Sequence, residues 1–294
     1  MDKAIPFVIP DFMAGWTVER VLRQSMGISR TLLRSAKSNG DILLDNLPVK
    51  TNVAVKPGQL LELRLRQKET KVLPEKIELD ILFEDTHLLA LNKPPGMLVH
   101  PLTTEPMGTL ANGVIYHWQQ QGITDLFRPV HRLDRDTSGI VLVAKNSYVS
   151  QQLQLQMKQG KFVRRYLALV AGEVDPRQGV IDAPIDLAEG SFIKRIVSPG
   201  GKYAVSHYRV LRYLNKESLV WVELETGRTH QVRIHLAHLG YPLLGDYLYG
   251  GDTTKIKRQA LHCAYLAFIH PVKGNPTKIT CPIPTDFKLL LGMK

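Results

Sequence analysis

Short apolar runs with the character of β-strands recur along most of this chain, and they restrict its fold more than any other feature. Residues 81–83 and 88–91 flank the polar stretch 84–87, which is the pattern of a β-hairpin. Further strands are predicted at 140–144, 166–170, 205–211, 219–224 and 278–281, and helices at 109–121, 147–158 and 229–239. Because strands outnumber helices and do not alternate regularly with them, we expect an α+β domain with a mixed, largely antiparallel central sheet.

Residues 15–66 have the pattern of a separate, small α/β unit. The apolar spacing predicts a short helix from Val18 and a second helix that Ser29 caps and Gly40 ends. Short strands are predicted at 42–44, 53–55 and 61–65.

A polar segment with one proline, residues 67–78, follows this unit and has the composition of a flexible linker. It divides the chain into an N-terminal domain over 1–66, with its core at about 15–66, and a larger domain over 79–294. We expect the larger domain to carry the chemistry.

The charge of the chain favours a polyanionic partner. The formal net charge is +11, which points to nucleic acid first and an acidic membrane surface second. Residues 15–66 contain nine Lys or Arg and four Asp or Glu, a net of +5. Arg30, Arg34 and Lys37 share one face of the second helix, so we predict that this face binds RNA phosphates rather than being merely solvated.

Several protein classes are disfavoured by what the sequence lacks. It has no apolar run long enough to span a bilayer and no signal peptide at its start, so we expect a cytoplasmic protein. Its two cysteines, Cys263 and Cys281, are not in a Cys-x-x-Cys pair, which argues against a zinc site. Both lie in apolar stretches and are predicted to be buried.

Charged residues are concentrated at 131–139, which reads HRLDRDTSG and leads into an apolar strand. A rigid strand behind a charged loop is a common setting for reactive groups. Asp136 has an adequate explanation as a turn residue before Gly139. Asp134 lies between Arg132 and Arg135, which favour its ionised form, and an ionised carboxylate can act as a nucleophile or a base.

Two other interpretations of this loop remain open. It could be a surface cluster of ion pairs, or Asp134 and Asp136 could bind a metal ion. The flanking arginines and the lack of a third acidic ligand at suitable spacing disfavour a divalent cation.

Residues 131–139 and the strand after them resemble the signature of the RluA family of RNA pseudouridine synthases. Residues 92–101 (NKPPGMLVHP) resemble its first motif, 165–172 (RYLALVAG) its tyrosine motif, and 226–246 a block that runs from TGRTHQVRIH to GYPLLGD. These blocks stand in the expected order and, with the tail around 259–271, cover most of the larger domain. The N-terminal unit resembles the S4 RNA-binding domain more loosely, through GISR at the junction of its two helices.

The resemblance implies isomerisation of uridine to pseudouridine, in which the N1–C1′ bond breaks and C5 bonds to C1′. No cofactor and no metal are implied. Asp134 matches the essential aspartate, which would attack C1′, attack C6 or act as a base on the ribose. Arg233 matches the arginine that pairs with this aspartate, on a helix that Thr229 would cap, and Tyr166 matches the active-site tyrosine.

Four further residues are assigned to substrate binding by the same resemblance. Arg132 matches an arginine that fills the space left by the extruded base, although a phosphate contact would also suit it. His131 would position the same loop or only pack beneath it, and His230 would lie on the same helix face as Arg233. Lys93 could contact phosphate, but support of the catalytic loop is the stronger interpretation.

RNA is therefore the predicted partner, with large-subunit ribosomal RNA favoured and transfer RNA possible, and we expect a monomer that binds no membrane. A non-catalytic RNA-binding or ribosome-assembly factor is the first alternative. The presence of Asp134, Tyr166 and Arg233 together counts against it, because such a factor would not need them. A metal-dependent nuclease would need an acidic cluster that the sequence does not offer.

Overall fold

The structure is a computed structural model that describes residues 3–66 and 70–293. Its strands are β1 Lys3–Val8, β2 Ile42–Leu44, β3 Leu47–Pro48, β4 Leu60–Leu65, β5 Ile81–Glu84, β6 Leu88–Lys93, β7 Arg128–Pro129, β8 Ser138–Ala144, β9 Val163–Ala171, β10 Gln178–Asp182, β11 Ile185–Leu187, β12 Arg195–Val197, β13 Val205–Leu214, β14 Glu217–Leu224, β15 Leu261–Ile269 and β16 Pro276–Thr280. Its helices are α1 Val18–Arg20, α2 Arg30–Asn39, α3 Leu110–Gln120, α4 Ser147–Lys158, α5 Gln231–His238 and α6 Thr285–Leu290. None of the helices in the described ranges is long and apolar enough to cross a membrane.

A ten-stranded sheet forms the centre of the larger domain, in the order β10-β13-β14-β9-β15-β8-β6-β5, with β16 beside β15 and β7 beside β8. Its strand pairs are antiparallel except that β8 runs parallel to β15. The predicted mixed, largely antiparallel α+β fold is therefore confirmed. Every residue of β8 is buried, because helices and loops cover both faces of the sheet there.

The N-terminal unit has its own four-stranded antiparallel sheet, in the order β1-β4-β2-β3. The sequence did not predict β1, which contains Pro6 and lies at the edge of the sheet, where proline is tolerated. The strand predicted at 53–55 is wrong, because only Ala54 forms an isolated bridge, to Thr17. The strands predicted at 42–44 and 61–65 are confirmed.

Helix α2 begins and ends where the sequence predicts. The Ser29 hydroxyl accepts a hydrogen bond from the Leu32 N–H at 3.2 Å, and Gly40 ends the helix in the left-handed conformation at φ 70°. Leu33 and Ala36 are buried against the sheet. The opposite face of α2 therefore points outward.

The described part of the predicted linker, residues 70–78, lies along helix α3. The Asn112 side-chain amide donates to the Leu73 carbonyl at 2.8 Å, and the Glu75 N–H donates to the Asn112 carbonyl at 3.2 Å. The Glu75 carboxylate accepts the Gly108 N–H at 2.6 Å. This part of the segment is held in place, whereas residues 67–69 lie outside the described residues.

The two units touch directly through helix α4. The Ser29 N–H donates to the Gln151 side-chain oxygen at 3.1 Å, and the Gln151 amide donates to the Gly27 carbonyl at 2.5 Å. The Gln152 amide donates to the Met26 carbonyl at 3.1 Å. The start of α2 is therefore fixed to the larger domain.

Candidate active site

Asp134 lies in a tight turn immediately before the buried strand β8. The Thr137 N–H donates to the Asp134 carbonyl at 3.2 Å, so the turn spans 134–137. The sequence predicted the turn at 136–139, but Ser138 and Gly139 already belong to β8. The shift puts Asp134 at the first position of the turn.

Gly139 is required by the close approach of β8 to β15. Its φ is 110°, and a Cβ atom there would lie 2.3 Å from the carbonyl oxygen of Cys263. Only glycine accepts both this dihedral angle and this distance. The positive φ of Gly139 is therefore required by a neighbouring strand rather than by a turn.

Three successive backbone carbonyls of the turn accept hydrogen bonds from neighbouring parts of the protein. Besides the bond to Asp134, the Lys93 ammonium donates to the Arg135 carbonyl at 2.8 Å, and the Arg258 guanidinium donates to the Asp136 carbonyl at 3.1 Å. Arg258 is itself held by a bidentate ion pair with Asp286. These bonds fix the position of Asp134 through its backbone.

Lys93 is fully buried, with 0% of its surface exposed. Its Nζ also donates to the carbonyls of Pro94 at 2.7 Å and Met97 at 2.8 Å. Burial lowers the pKa of Lys93 to about 7, while Asp136 opposes this shift. Lys93 supports the loop and cannot reach RNA phosphate, so its assignment to substrate binding is wrong.

Arg233 and His230, both from the start of helix α5, face the carboxylate of Asp134. Arg233 Nη1 lies 3.2 Å and His230 Nε2 lies 3.8 Å from Asp134 Oδ2. The arginines next to Asp134 in sequence do not have this role, since Arg135 pairs with Glu105 at 2.7 Å. The predicted pairing of Arg233 with Asp134 is present in the structure.

Arg233 makes its bidentate contact with Asp246 and not with Asp134. Nε and Nη2 donate to the two carboxylate oxygens of Asp246 at 2.6 and 2.8 Å, and both side chains are buried. Burial alone would lower the pKa of Arg233, but the hydrogen bonds and charges of Asp246 and Asp134 raise it further above its ordinary value. Asp246 thus holds a permanent cation that presents one remaining N–H to Asp134.

Helix α5 begins differently from the prediction. Its N-cap is His230, in the left-handed conformation at φ 59° and without a side-chain cap, so the cap predicted at Thr229 is wrong. The His230 ring is oriented by a contact of 2.8 Å between Nδ1 and the Tyr249 hydroxyl. Burial lowers the pKa of His230, although Asp134 opposes this shift, so burial favours the neutral ring.

Tyr166 and Arg132 line the same cleft as Asp134, which has a volume of about 900 Å³. Tyr166 lies on β9 and is 5% exposed, and burial raises the pKa of its hydroxyl well above the ordinary value. A protonated phenol can donate a hydrogen bond and stack on a base. Arg132 is exposed in the cleft, as a side chain that occupies the space of an extruded base must be.

His131 is buried below the loop. Burial, with the charge of Arg164, lowers its pKa to about 3, and its ring packs beside Phe162 at a centroid distance of 6.1 Å. Its Nε2 lies 3.4 Å from the Leu142 N–H. These contacts fit positioning of the loop better than direct binding of substrate.

Three further histidines and both cysteines are buried away from the cleft. His235, His262 and His270 are buried, and Cys263 and Cys281 are buried free thiols whose pKa is raised by burial to about 12. Within the described ranges, no group of three or more His, Cys, Asp or Glu side chains is arranged to hold a metal ion.

The basic face of α2 is partly neutralised. Arg30 and Arg34 are exposed, but the Lys37 ammonium pairs with the Glu19 carboxylate at 2.7 Å. Within residues 3–66 and 70–293, Arg30 and Arg34 therefore have no ion-pair partner, whereas the charge of Lys37 is shared with Glu19.

Sequence reasoning assigned no role to Asp246, Arg258 or Tyr249, which orient the site from behind. Asp246 ends the motif at 226–246, and its position after a glycine is the only local sign of a function. Arg258 stands in a stretch with no pattern that distinguishes it from a surface arginine.

Comparison with known proteins places these residues in context. The family model of RNA pseudouridylate synthases matches residues 87–238. The chain is 40% identical over 291 residues to the RNA pseudouridine synthase YhcT of Bacillus subtilis, covering 98% of this chain and 96% of that protein. It is 35% identical to the ribosomal large subunit pseudouridine synthase D of Xanthomonas campestris, covering 97% and 91%.

The fold also matches a solved structure. Human RNA pseudouridylate synthase domain containing 1 superimposes with a TM-score of 0.59 at 25% identity, over 71% of this chain and 85% of that one.

Proposed function

This chain belongs to the RNA pseudouridylate synthase family, and we propose that it isomerises uridines of large-subunit ribosomal RNA with Asp134 as the catalytic carboxylate. The observation that carries the proposal is the convergence of Asp134, Arg233, His230 and Tyr166 on one open cleft. The choice of RNA follows the names of relatives such as the ribosomal large subunit synthase D.

The surroundings of Asp134 suit a carboxylate that must stay ionised and reach a ribose. Its side chain is 21% exposed, so a nucleotide can contact it, while Arg233 stabilises its charge from the buried side. Burial lowers the pKa of His230, which leaves Arg233 as the main positive charge beside Asp134. This arrangement serves attack at C1′, attack at C6 and proton abstraction from the ribose alike.

The reaction needs a uridine that has left its stack, because C1′ and C5 are otherwise inaccessible. Arg132 is exposed beside Asp134 and can occupy the vacated space. The N1–C1′ bond then breaks, C5 bonds to C1′, the C5 proton is lost and N1 gains a proton. We expect the Tyr166 ring to stack on the rotating uracil.

Mapping of pseudouridine tests this function directly. Cells that lack the gene should lose pseudouridine at one or a few positions of large-subunit ribosomal RNA, and the purified protein should restore it in a transcript. Loss confined to transfer RNA would redirect the substrate assignment. An unchanged map, with no product from the purified protein, would contradict the function.

We further propose that the N-terminal unit is an S4-like domain whose α2 face binds RNA phosphates. Because Lys37 is paired with Glu19, the free cations are Arg30 and Arg34. Changing both to Gln should raise KM on long RNA and reduce the log–log salt slope of binding by about 1.4 to 1.8, at about 0.7 to 0.9 per phosphate. The single-turnover rate at saturating RNA should stay within about twofold.

Lys50 and Lys56 provide the matched control, since both are exposed lysines of the same unit outside α2. Their double change to Gln removes the same charge and should leave the salt slope nearly unchanged. If both double variants reduced the salt slope equally, RNA binding would depend on the net charge of the unit and not on the α2 face. A slow reaction with normal binding would show that the unit contributes to the active site itself.

A further inference from the structure

A second, smaller pocket of about 260 Å³ lies next to the cleft of Asp134. Gly227, Arg228 and Thr229 line both cavities, so a single backbone segment separates them. The other walls come from the β11–β12 hairpin and from Lys202.

The pocket is cationic. Arg195, Lys202 and Arg228 line it together with one carboxylate, Asp186, which already accepts the Leu187 N–H at 2.7 Å. Three positive charges against one negative charge favour an anionic ligand.

Arg195 makes this pocket different from an ordinary basic patch. Its Nε is shielded from solvent and has no hydrogen-bond partner, and the structure gives its guanidinium no ion pair within the described ranges. A buried N–H donor without an acceptor is costly and rare in folded proteins. Arg228 uses Nε to bind the Tyr203 carbonyl at 2.9 Å and has its terminal nitrogens left for a ligand.

The walls of the pocket are rigid. Ile185 and Lys202 exchange two backbone hydrogen bonds of 3.0 and 2.8 Å. A Cβ atom on Gly201 would lie 2.6 Å from the backbone of Ile185, so the two segments are in closest contact there. The backbone at Lys202 is therefore fixed beside the β11–β12 hairpin before any ligand binds.

A chain of contacts joins this pocket to Asp134. The backbone N–H of Arg195 donates to the Tyr249 hydroxyl at 3.1 Å. This hydroxyl lies 2.8 Å from His230 Nδ1. His230 Nε2 in turn lies 3.8 Å from Asp134 Oδ2. The strand that carries Arg195 is thus tied to the catalytic group.

We propose that Arg195, Lys202, Arg228 and Thr229 form a subsite for a backbone phosphate of the substrate RNA that flanks the uridine in the cleft. The proposal rests on the proposed function. A guanidinium with free N–H groups binds phosphate oxygens with directed, charge-assisted hydrogen bonds. Phosphate contacts fix the register of a nucleic acid, so this subsite sets which uridine faces Asp134.

A double-mutant cycle between protein and RNA tests the subsite. The probe is an RNA oligonucleotide of about 20 nucleotides around a uridine that the wild-type protein modifies, with single phosphates replaced by neutral methylphosphonates. We expect one flanking replacement to weaken binding to the wild-type protein roughly 10-fold, as for loss of a charged hydrogen bond. The Arg195→Gln/Lys202→Gln variant should bind the unmodified RNA roughly 10-fold more weakly and show no further loss on that replacement.

Lys194→Gln is the matched control, because Lys194 is exposed on the same hairpin but does not line the pocket. It should keep the wild-type response to the neutral phosphate. Arg195→Lys keeps the positive charge but loses the planar, forked set of N–H donors of the guanidinium. Its affinity for RNA should lie between those of the wild type and Arg195→Gln. If the loss of affinity caused by the Arg195→Gln/Lys202→Gln variant simply added to the loss caused by every methylphosphonate, the subsite would be overturned.

Titration with inorganic phosphate separates this proposal from the proposed function. The Arg195 Nε–H signal in the ¹H–¹⁵N spectrum of the full chain, assigned by its loss in Arg195→Gln, should shift with phosphate in the wild type and in Lys194→Gln. If RNA is modified but neither phosphate nor the methylphosphonate has an effect, the subsite is refuted and the proposed function stands. If phosphate shifts the signal but no RNA is modified, the pocket binds anions but the assignment to RNA fails together with the proposed function.

Discussion

The Asp134→Asn variant is expected to fold, to bind RNA within a small factor of the wild type and to form no detectable pseudouridine. Asparagine has nearly the same shape and keeps the backbone bond to Thr137, but it cannot attack carbon or accept a proton as a carboxylate does. We expect the single-turnover rate to fall by at least about 10⁴-fold. Thermal unfolding and RNA binding measured on the same sample would separate this loss from misfolding.

Asp136→Asn is the matched control for this prediction. Asp136 lies in the same turn; Arg258 binds its carbonyl, and its carboxylate favours the charged form of the buried Lys93. The substitution leaves that carbonyl in place, so the rate should stay within about 10-fold of the wild type. Substantial residual activity of Asp134→Asn would refute its assignment as the catalytic carboxylate, and a complete loss in Asp136→Asn would show that the turn tolerates no change of charge.

Local patterns in the sequence predicted the local structure well. Ser29 and Gly40 delimit α2 as expected, because capping depends on only a few neighbouring residues. The hairpin of β5 and β6 is confirmed for the same reason, since its strands are joined by a short polar turn.

Errors occurred where distant segments decide the outcome. Strand β15, Leu261–Ile269, was not predicted, although it lies between β9 and β8. The left-handed conformation of His230 could not be anticipated either, since the contact with Tyr249 orients its ring from another segment.

The candidate site shows the same division. Asp134, Tyr166 and Arg233 were found because they belong to contiguous motifs. For Lys93 the sequence favoured support of the loop but left a phosphate contact open, because a sequence does not reveal that a lysine is fully buried against three carbonyls. Asp246 was overlooked because its partner Arg233 lies 13 positions away on another element.

The independence of the two domains remains a prediction. The polar composition of residues 67–78 suggested a flexible connection, but the described part packs on α3 and Gln151 holds the start of α2. A shortened protein that begins near residue 70 would expose these contacts to water and lose a few hydrogen bonds. Its larger sheet would remain complete, so we still expect it to fold and to act on short RNA.

Asp246→Ala is expected to destabilise the protein strongly and to impair catalysis. It leaves the buried Arg233 without its bidentate partner, and breaking a buried pair in this way costs about 3–5 kcal/mol. Arg233 would then be free to move toward Asp134, and a misplacement of about 1 Å at a reacting group costs roughly 10²-fold in rate. Urea unfolding measures the first effect and single-turnover kinetics the second. Glu105→Ala, which breaks the exposed pair with Arg135, should cost less than about 1 kcal/mol.

The double variant Arg233→Met/Asp246→Leu separates the two consequences of losing this pair. Two apolar side chains of similar volume remove both charges together, and such replacements of buried ion pairs are often neutral or stabilising. We therefore expect its free energy of unfolding to return to within about 1–2 kcal/mol of the wild type. Activity should stay at or below that of Asp246→Ala, because Asp134 has lost the buried cation that neutralises and orients it. A stable double variant with near-normal activity would show that Arg233 serves the fold alone. A double variant as unstable as Asp246→Ala would show that the site depends on the geometry of the pair and not only on compensation of its charges.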